Sequence, residues 1–148
     1  MLIIKKYIYL FFLIFYCLSV TGTVPEYYFK QISLGEGLSE SMVKCVLTDH
    51  KGLIWIGTRF GLNNFDRERV KNYYHDKKDT YSIPDNEIIF LVEDSLQNLW
   101  VATEQGMVLY NRETDNFLPA TADGRLLVVQ SYVFVKDGLL FFGKGAFF

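Results

Sequence analysis

The sequence predicts an all-β fold assembled from repeated four-stranded antiparallel sheets. Three observations predict it. The stretch from Asp49 to Asp66 recurs from Asp94 to Asn111 at an offset of 45 residues, and a fixed period of that size marks repeat architecture. The offset pairs Trp55 with Trp100, Thr58 with Thr103, Gly61 with Gly106 and Phe65 with Tyr110, so aromatics meet aromatics and turn formers meet turn formers. Short β-branched or aromatic runs are separated by Gly, Asn and Asp, and no stretch carries apolar residues at helical spacing.

Four strands are expected in each period. In the first copy they are Val43 to Thr48, with Val43, Cys45 and Leu47 on one face, then Leu53 to Thr58, Leu62 to Asp66 and Val70 to His75. In the second they are Ile88 to Glu93, Leu99 to Thr103, Met107 to Asn111 and a weaker strand near Phe117. The turn Asp49-His50-Lys51-Gly52 sets an Asp that can bond its own backbone ahead of a Gly free to take positive φ. In the second copy Asn98 is expected at that Gly position. Four antiparallel strands in about 40 to 45 residues is the size of one β-propeller blade.

A third period opens with a strand at Ser131 to Val135, a turn at Lys136-Asp137-Gly138 and a strand at Leu139 to Gly143, where Phe141 stands in the place of the tryptophans. The domain reading is a signal peptide at 1–22 and a partial β-propeller at 23–148, with blades at about 38–82 and 83–127 and the start of a third at about 128–148. Propellers close with about four to eight blades, each covered by the next. The chain is therefore expected to be the N-terminal piece of a longer protein or a truncated product. From Thr23 onward it is expected to be unstable by itself, because open strand edges invite pairing with other chains.

The leader is read from Lys5 and Lys6, the apolar run Tyr7 to Leu18, and the small residues Ser19, Thr21, Gly22 and Thr23. Cleavage is expected after Thr21 or Gly22, with an uncleaved anchor as the alternative, because the apolar run falls short of the roughly 20 residues that a membrane span needs. Phe15 and Tyr16 ahead of Cys17 argue against lipidation. Without the leader Cys45 is the remaining cysteine, so no intramolecular disulfide is expected, and its alternation with Val43 and Leu47 reads as core. Half of the residues are hydrophobic and 17% aromatic. A net charge of −2 with no basic stripe argues against nucleic acid.

No catalytic constellation emerges. The candidate carboxylates are Glu93 with Asp94, Asp49, Asp66 and Asp115. Three of these, Asp49, Asp66 and Asp94, recur at repeat-equivalent turns or strand ends, where a capping role is the better reading. His50 and His75 match no zinc spacing and read as solvated. Trp55 and Trp100 read as packing between blades rather than as sugar platforms. No metal and no cofactor is expected.

Several strings together resemble two-component regulator propeller repeats: Gly37-Leu38-Ser39, Leu53-Ile54-Trp55-Ile56-Gly57-Thr58, Gly61-Leu62-Asn63, Tyr74-His75-Asp76, Ser82-Ile83-Pro84-Asp85-Asn86 and Asn98-Leu99-Trp100-Val101-Ala102-Thr103. The resemblance covers Tyr28 to about Asn116. Ala102 departs from the Gly of the first copy, Asn111 from Asp66, and Phe141 and Lys144 from Trp and Thr. The resemblance implies an extracytoplasmic sensor of a hybrid two-component system. Such a sensor has two propellers in series and a β-sandwich stalk, followed by a transmembrane helix, a histidine kinase, a receiver and a DNA-binding output. This chain carries no nucleotide-binding motif.

Ligand contacts, if carried here, are expected on the loops that vary between copies. If the first strand of each blade is innermost, the second-to-third and fourth-to-first connections share a face. That face carries Arg59 and Phe60, Glu104 and Gln105, and the connection Asp76 to Asn86 with Tyr81. An arginine, aromatics and an amide suit a saccharide. The expected partners are an oligosaccharide ligand, the remaining blades and kinase region of the intact protein, and a second copy of the intact receptor. The expected location is the periplasm, with the whole protein anchored in the inner membrane. The alternatives are a secreted propeller that binds another protein and a fragment of a propeller lyase or hydrolase.

Overall fold

A computed structural model describes residues 26, 28–136, 138–143 and 146–147. The signal segment 1–22 lies outside the described residues. The chain divides into two compact units, Met1–Gln31 and Ile32–Phe148, and every strand among the described residues belongs to the second.

Three sheets follow one another along the chain, each antiparallel and each in simple meander order. The first is β1 (Val43–Thr48), β2 (Ile54–Thr58), β3 (Leu62–Phe65) and β4 (Val70–Tyr73). The second is β5 (Ile88–Glu93), β6 (Leu99–Thr103), β7 (Gly106–Asn111) and β8 (Asn116–Pro119). A two-stranded ribbon, β9 (Thr121–Ala122) and β10 (Arg125–Leu126), leads to a third sheet of β11 (Val129–Val135), β12 (Gly138–Gly143) and β13 (Ala146–Phe147). This is the all-β, four-stranded blade architecture that the repeat implies.

Several boundaries differ from expectation. β2 begins at Ile54 rather than Leu53, whose N–H instead donates to Asp49 Oδ1 at 3.0 Å. β4 ends at Tyr73 rather than His75, since the His75 N–H is taken by Asn86 Oδ1 at 2.7 Å. Gly138 pairs with Val135 inside the third sheet instead of sitting in its turn. The ribbon β9–β10 went unanticipated, although Asp123-Gly124 with φ of 51° and 74° is the left-handed pair that a two-residue hairpin favours.

Val43 does not share the face of Cys45 and Leu47. A register shift between Val43 and Cys45 breaks the alternation and leaves Val43 43% exposed. The same irregularity falls between Ile88 and Phe90 and between Val129 and Ser131, so every first strand carries it at its start. One extra residue there sharpens the local twist of the strand.

The main core lies between the first two sheets, with Trp55, Leu62, Ile88, Leu99, Val101, Val108 and Phe117 buried together with Ile83 from the connecting loop. A second cluster of Val92, Ala102, Met107, Val129 and Phe141 joins the second sheet to the third. Burial of large apolar side chains contributes about 1.5–3 kcal/mol each, so the sheets are held face to face mainly by these two layers. Leu38, aligned with Ile83, is buried too. Its segment is fixed by Ser39, whose N–H donates to Asn63 Oδ1 at 2.7 Å.

Candidate functional site

Each repeat builds one local clasp. In the first, Asp49 Oδ1 accepts from the N–H groups of Lys51 and Leu53 at 2.9 and 3.0 Å, while Oδ2 accepts from Trp55 Nε1 at 2.9 Å. In the second, Asp94 Oδ1 accepts from Leu96 and Asn98 N–H, both at 2.9 Å, and Oδ2 accepts from Trp100 Nε1 at 2.9 Å. The turn-capping role expected for both aspartates is present. The indole bond was not anticipated, although an Asp and a Trp six residues apart in both copies is its signature.

Asn98 does not take the left-handed position. Gly52 has φ 78° and its counterpart Gln97 has φ 67°; the side-chain amide of Asn98 instead donates to Asp94 Oδ2 at 2.9 Å. Asp66 caps the next turn, accepting from the Glu68 and Arg69 N–H groups, and Asn111 does the same for Glu113 and Thr114. The replacement of Asp66 by Asn in the second copy thus keeps the acceptor.

The remaining carboxylates are seam residues. Arg112 of the second sheet donates to Asp49 Oδ2 at 2.7 Å and to Glu93 Oε1 at 3.1 Å. Glu93 also holds His50 through its backbone N–H at 2.9 Å and through Nδ1 at 2.6 Å. Burial pushes the Asp49 carboxyl up, but the Trp55 indole, Arg112 and the Leu53 N–H outweigh it and leave the group below the ordinary carboxylate range. A few residues away, Asp115 accepts from the hydroxyls of Tyr73 at 2.6 Å and Tyr110 at 2.8 Å and pairs with Lys71. Burial and then the bond to Asp115 raise the Tyr73 phenol. Two carboxylates clamped by one guanidinium, and a third capped by two phenols and a lysine, are structural links. None is poised as an acid–base pair.

Cys45 is half-buried against the main core, and burial pushes its thiol up to about 11. It stays protonated at neutral pH and is a poor nucleophile. A Cβ at Gly57 would lie 2.4 Å from Cys45 Sγ and 2.6 Å from Ile88 Cγ2, so the first two sheets meet there at a distance that only glycine allows. Among the described residues no group of three or more His, Cys, Asp or Glu is placed to hold a metal ion.

The five loop residues expected to contact ligand do not gather in one place. Thr58 Oγ1 donates to the Gly61 carbonyl at 2.9 Å and Thr103 Oγ1 to that of Gly106 at 2.8 Å, forming matching turns that present Arg59 with Phe60 and Glu104 with Gln105. Both turns touch the connection between sheets: Gly61 N–H donates to Asn86 O at 2.9 Å and Glu104 N–H to Glu87 O at 3.1 Å. Glu87 draws the two turns together, with Lys44 at 2.9 Å and Arg59 Nε at 3.8 Å from its carboxylate. Phe60 is 58% exposed beside this strip.

Tyr81, 50% exposed, sits elsewhere. Its carbonyl accepts from Phe117 N–H at 2.8 Å and so caps the outer edge of β8. Gln105 instead lines a cleft of about 630 Å³ between the 75–85 loop and the β9–β10 ribbon. Its floor is aliphatic, from Ile83, Pro84, Val108 and Pro119, with Leu126 of the ribbon opposite, and its rim carries Asp76, Asp79 and Asp85 with Lys77.

The repeats match known proteins. Residues 37–60 and 82–105 each match the family model described as two component regulator propeller. A 69-residue stretch is 37% identical to Histidine kinase P4 of Formosa agariphila, covering 47% of this chain and 5% of that protein. In structure the chain is similar to the extracellular domain of the hybrid two component system BT3049 from B. thetaiotaomicron, with TM-score 0.65, 27% identity and coverage of 76% of this chain and 17% of that one. A second extracellular domain of this kind, BT4673 from the same organism, gives TM-score 0.58 and 25% identity over 72% of this chain and 16% of that one. The chain thus spans a small part of each relative. No helix among the described residues is long and apolar enough to cross a membrane. Both copies of the repeat thus match the two-component regulator propeller model, and both are folded as four-stranded blades.

Proposed function

We propose that this chain is a ligand-sensing segment in the periplasmic part of a hybrid two-component system, that its ligand is an oligosaccharide, and that occupancy is passed to a histidine kinase across the inner membrane. The observation that carries the reading is the pair of in-register regulator repeats on a fold shared with extracellular domains of hybrid two-component systems. The residues support a binding role over a catalytic one, because the candidate carboxylates Asp49, Glu93, Asp94 and Asp115 are committed to turns and seams. Export by the segment 1–22 and pairing of intact receptors belong to the same proposal. An in-frame chromosomal deletion of codons 37–119 should abolish transcriptional induction by a saccharide to which the source bacterium responds. Unaltered induction on every saccharide that elicits a response would overturn it.

A further inference from the structure

We infer that the cleft under the 75–85 loop is the ligand site, and that it takes a neutral oligosaccharide and excludes one bearing uronates. The inference rests on the saccharide reading above and deepens it.

The volume of about 630 Å³ falls within the roughly 300–1,000 Å³ typical of small-molecule sites. Pro84, Pro119 and Leu126, over the fully buried Ile83 and Val108, offer an apolar surface to the C–H face of a pyranose. The rim supplies hydrogen bonds from groups that the fold leaves open. Asp76, Asp79 and Asp85 each commit Oδ1 to a backbone N–H two residues on, at 2.9, 2.9 and 2.8 Å. Among the described residues no donor meets Oδ2 of any of the three. Lys77 and Gln105 likewise make no side-chain hydrogen bond among the described residues, and Gln105 adds both a donor and an acceptor. Vicinal hydroxyls donate to carboxylates and accept from an ammonium or amide, so this set matches a polyhydroxyl ligand.

Other ligand classes fit less well. The carboxylates are spread along the loop and are not grouped for a metal. Three of them against one lysine repel an anion. His75 Nδ1 is 2.8 Å from the Ile83 carbonyl, which requires Nδ1 to donate and holds the loop over the cleft. Leu126, 41% exposed on the ribbon, forms the opposite wall. Arg59 and Phe60, by contrast, do not line the cleft.

The test is calorimetric titration of the full chain with cellotetraose, xylotetraose, arabinotetraose and mannotetraose, and with tetragalacturonate. At least one neutral tetrasaccharide should bind and tetragalacturonate should not. Gln105→Ala and Leu126→Trp, both at exposed positions, should weaken binding at least tenfold, whereas Arg59→Ala should leave it unchanged. The double variant Asp79→Asn with Asp85→Asn should admit tetragalacturonate. Binding lost in Arg59→Ala but kept in Gln105→Ala and Leu126→Trp would keep the saccharide reading and remove the cleft. Equal binding of tetragalacturonate by the unaltered chain would overturn the charge selection. Failure of all four neutral sugars would overturn both.

Discussion

The two copies of the repeat make the same Asp–Trp clasp in different surroundings. Each indole N–H lies 2.9 Å from its aspartate. Trp55 is 0% exposed, stacked on Tyr73 at 5.8 Å and met edge-on by Tyr110 of the next sheet at 4.7 Å. Trp100 is half-buried, with Phe141 of the third sheet at 5.8 Å as its aromatic neighbour. The clasp is therefore a property of one repeat, formed between residues six apart, while the burial of its tryptophan is conferred by the following sheet.

The strongest way to break this comparison is to remove the rings. Trp55→Ala should cost about 3–5 kcal/mol and Trp100→Ala clearly less, read as the shift in urea midpoint; equal losses would mean that the clasp, and not the cover, dominates. Next comes Gly57→Ala. The new methyl meets Cys45 and Ile88, and overpacking of this kind costs about 1–3 kcal/mol. The second copy already holds a buried Ala102 at this position, so Ala102→Gly should cost only about 0.5–1 kcal/mol.

A smaller effect tests the seam. Arg112→Met removes a charged partner of Asp49 and should cost about 2 kcal/mol at pH 7, whereas Asp94, which has no such arginine, should be untouched. Because both carboxyls sit below their ordinary range in the fold, their contribution is complete above the unfolded value near 3.9 and is lost as pH falls through the lower folded values. Acid destabilisation should thus start near pH 4, and in Arg112→Met the part of it carried by Asp49 should shrink, because its folded carboxyl moves back toward the unfolded value. An unshifted profile would remove Arg112 from the account. One change is a gain: Gln97→Gly, at φ 67°, should stabilise by about 1 kcal/mol, while Gly52→Gln should lose a similar amount.

What was legible in the sequence follows from range. Strand positions and capped turns are set within a few residues, so periodicity and Asp–Gly chemistry located them, and the recurrence of Trp55 and Trp100 identified packing between sheets. The seam from His50 through Glu93 and Arg112 to Asp49 spans 63 residues and does not recur, so nothing local announces it. Of the loop residues, Gln105 was placed with the 76–86 connection, as in the fold. Leu126, the opposing wall, could not be, because the Asp123-Gly124 hairpin that carries it was overlooked.

That same seam gives the array an address. Thr48 stands in the first copy where the second has Glu93, and Ser95 stands in the second where the first has His50. Were the second copy to dock on its own duplicate, as in an exchanged dimer or a slipped array, Ser95 would take the place of His50 and the imidazole–carboxylate contact would vanish. Modules of the same fold invite misassembly, and a non-repeating charge contact at their junction favours one order of neighbours over another.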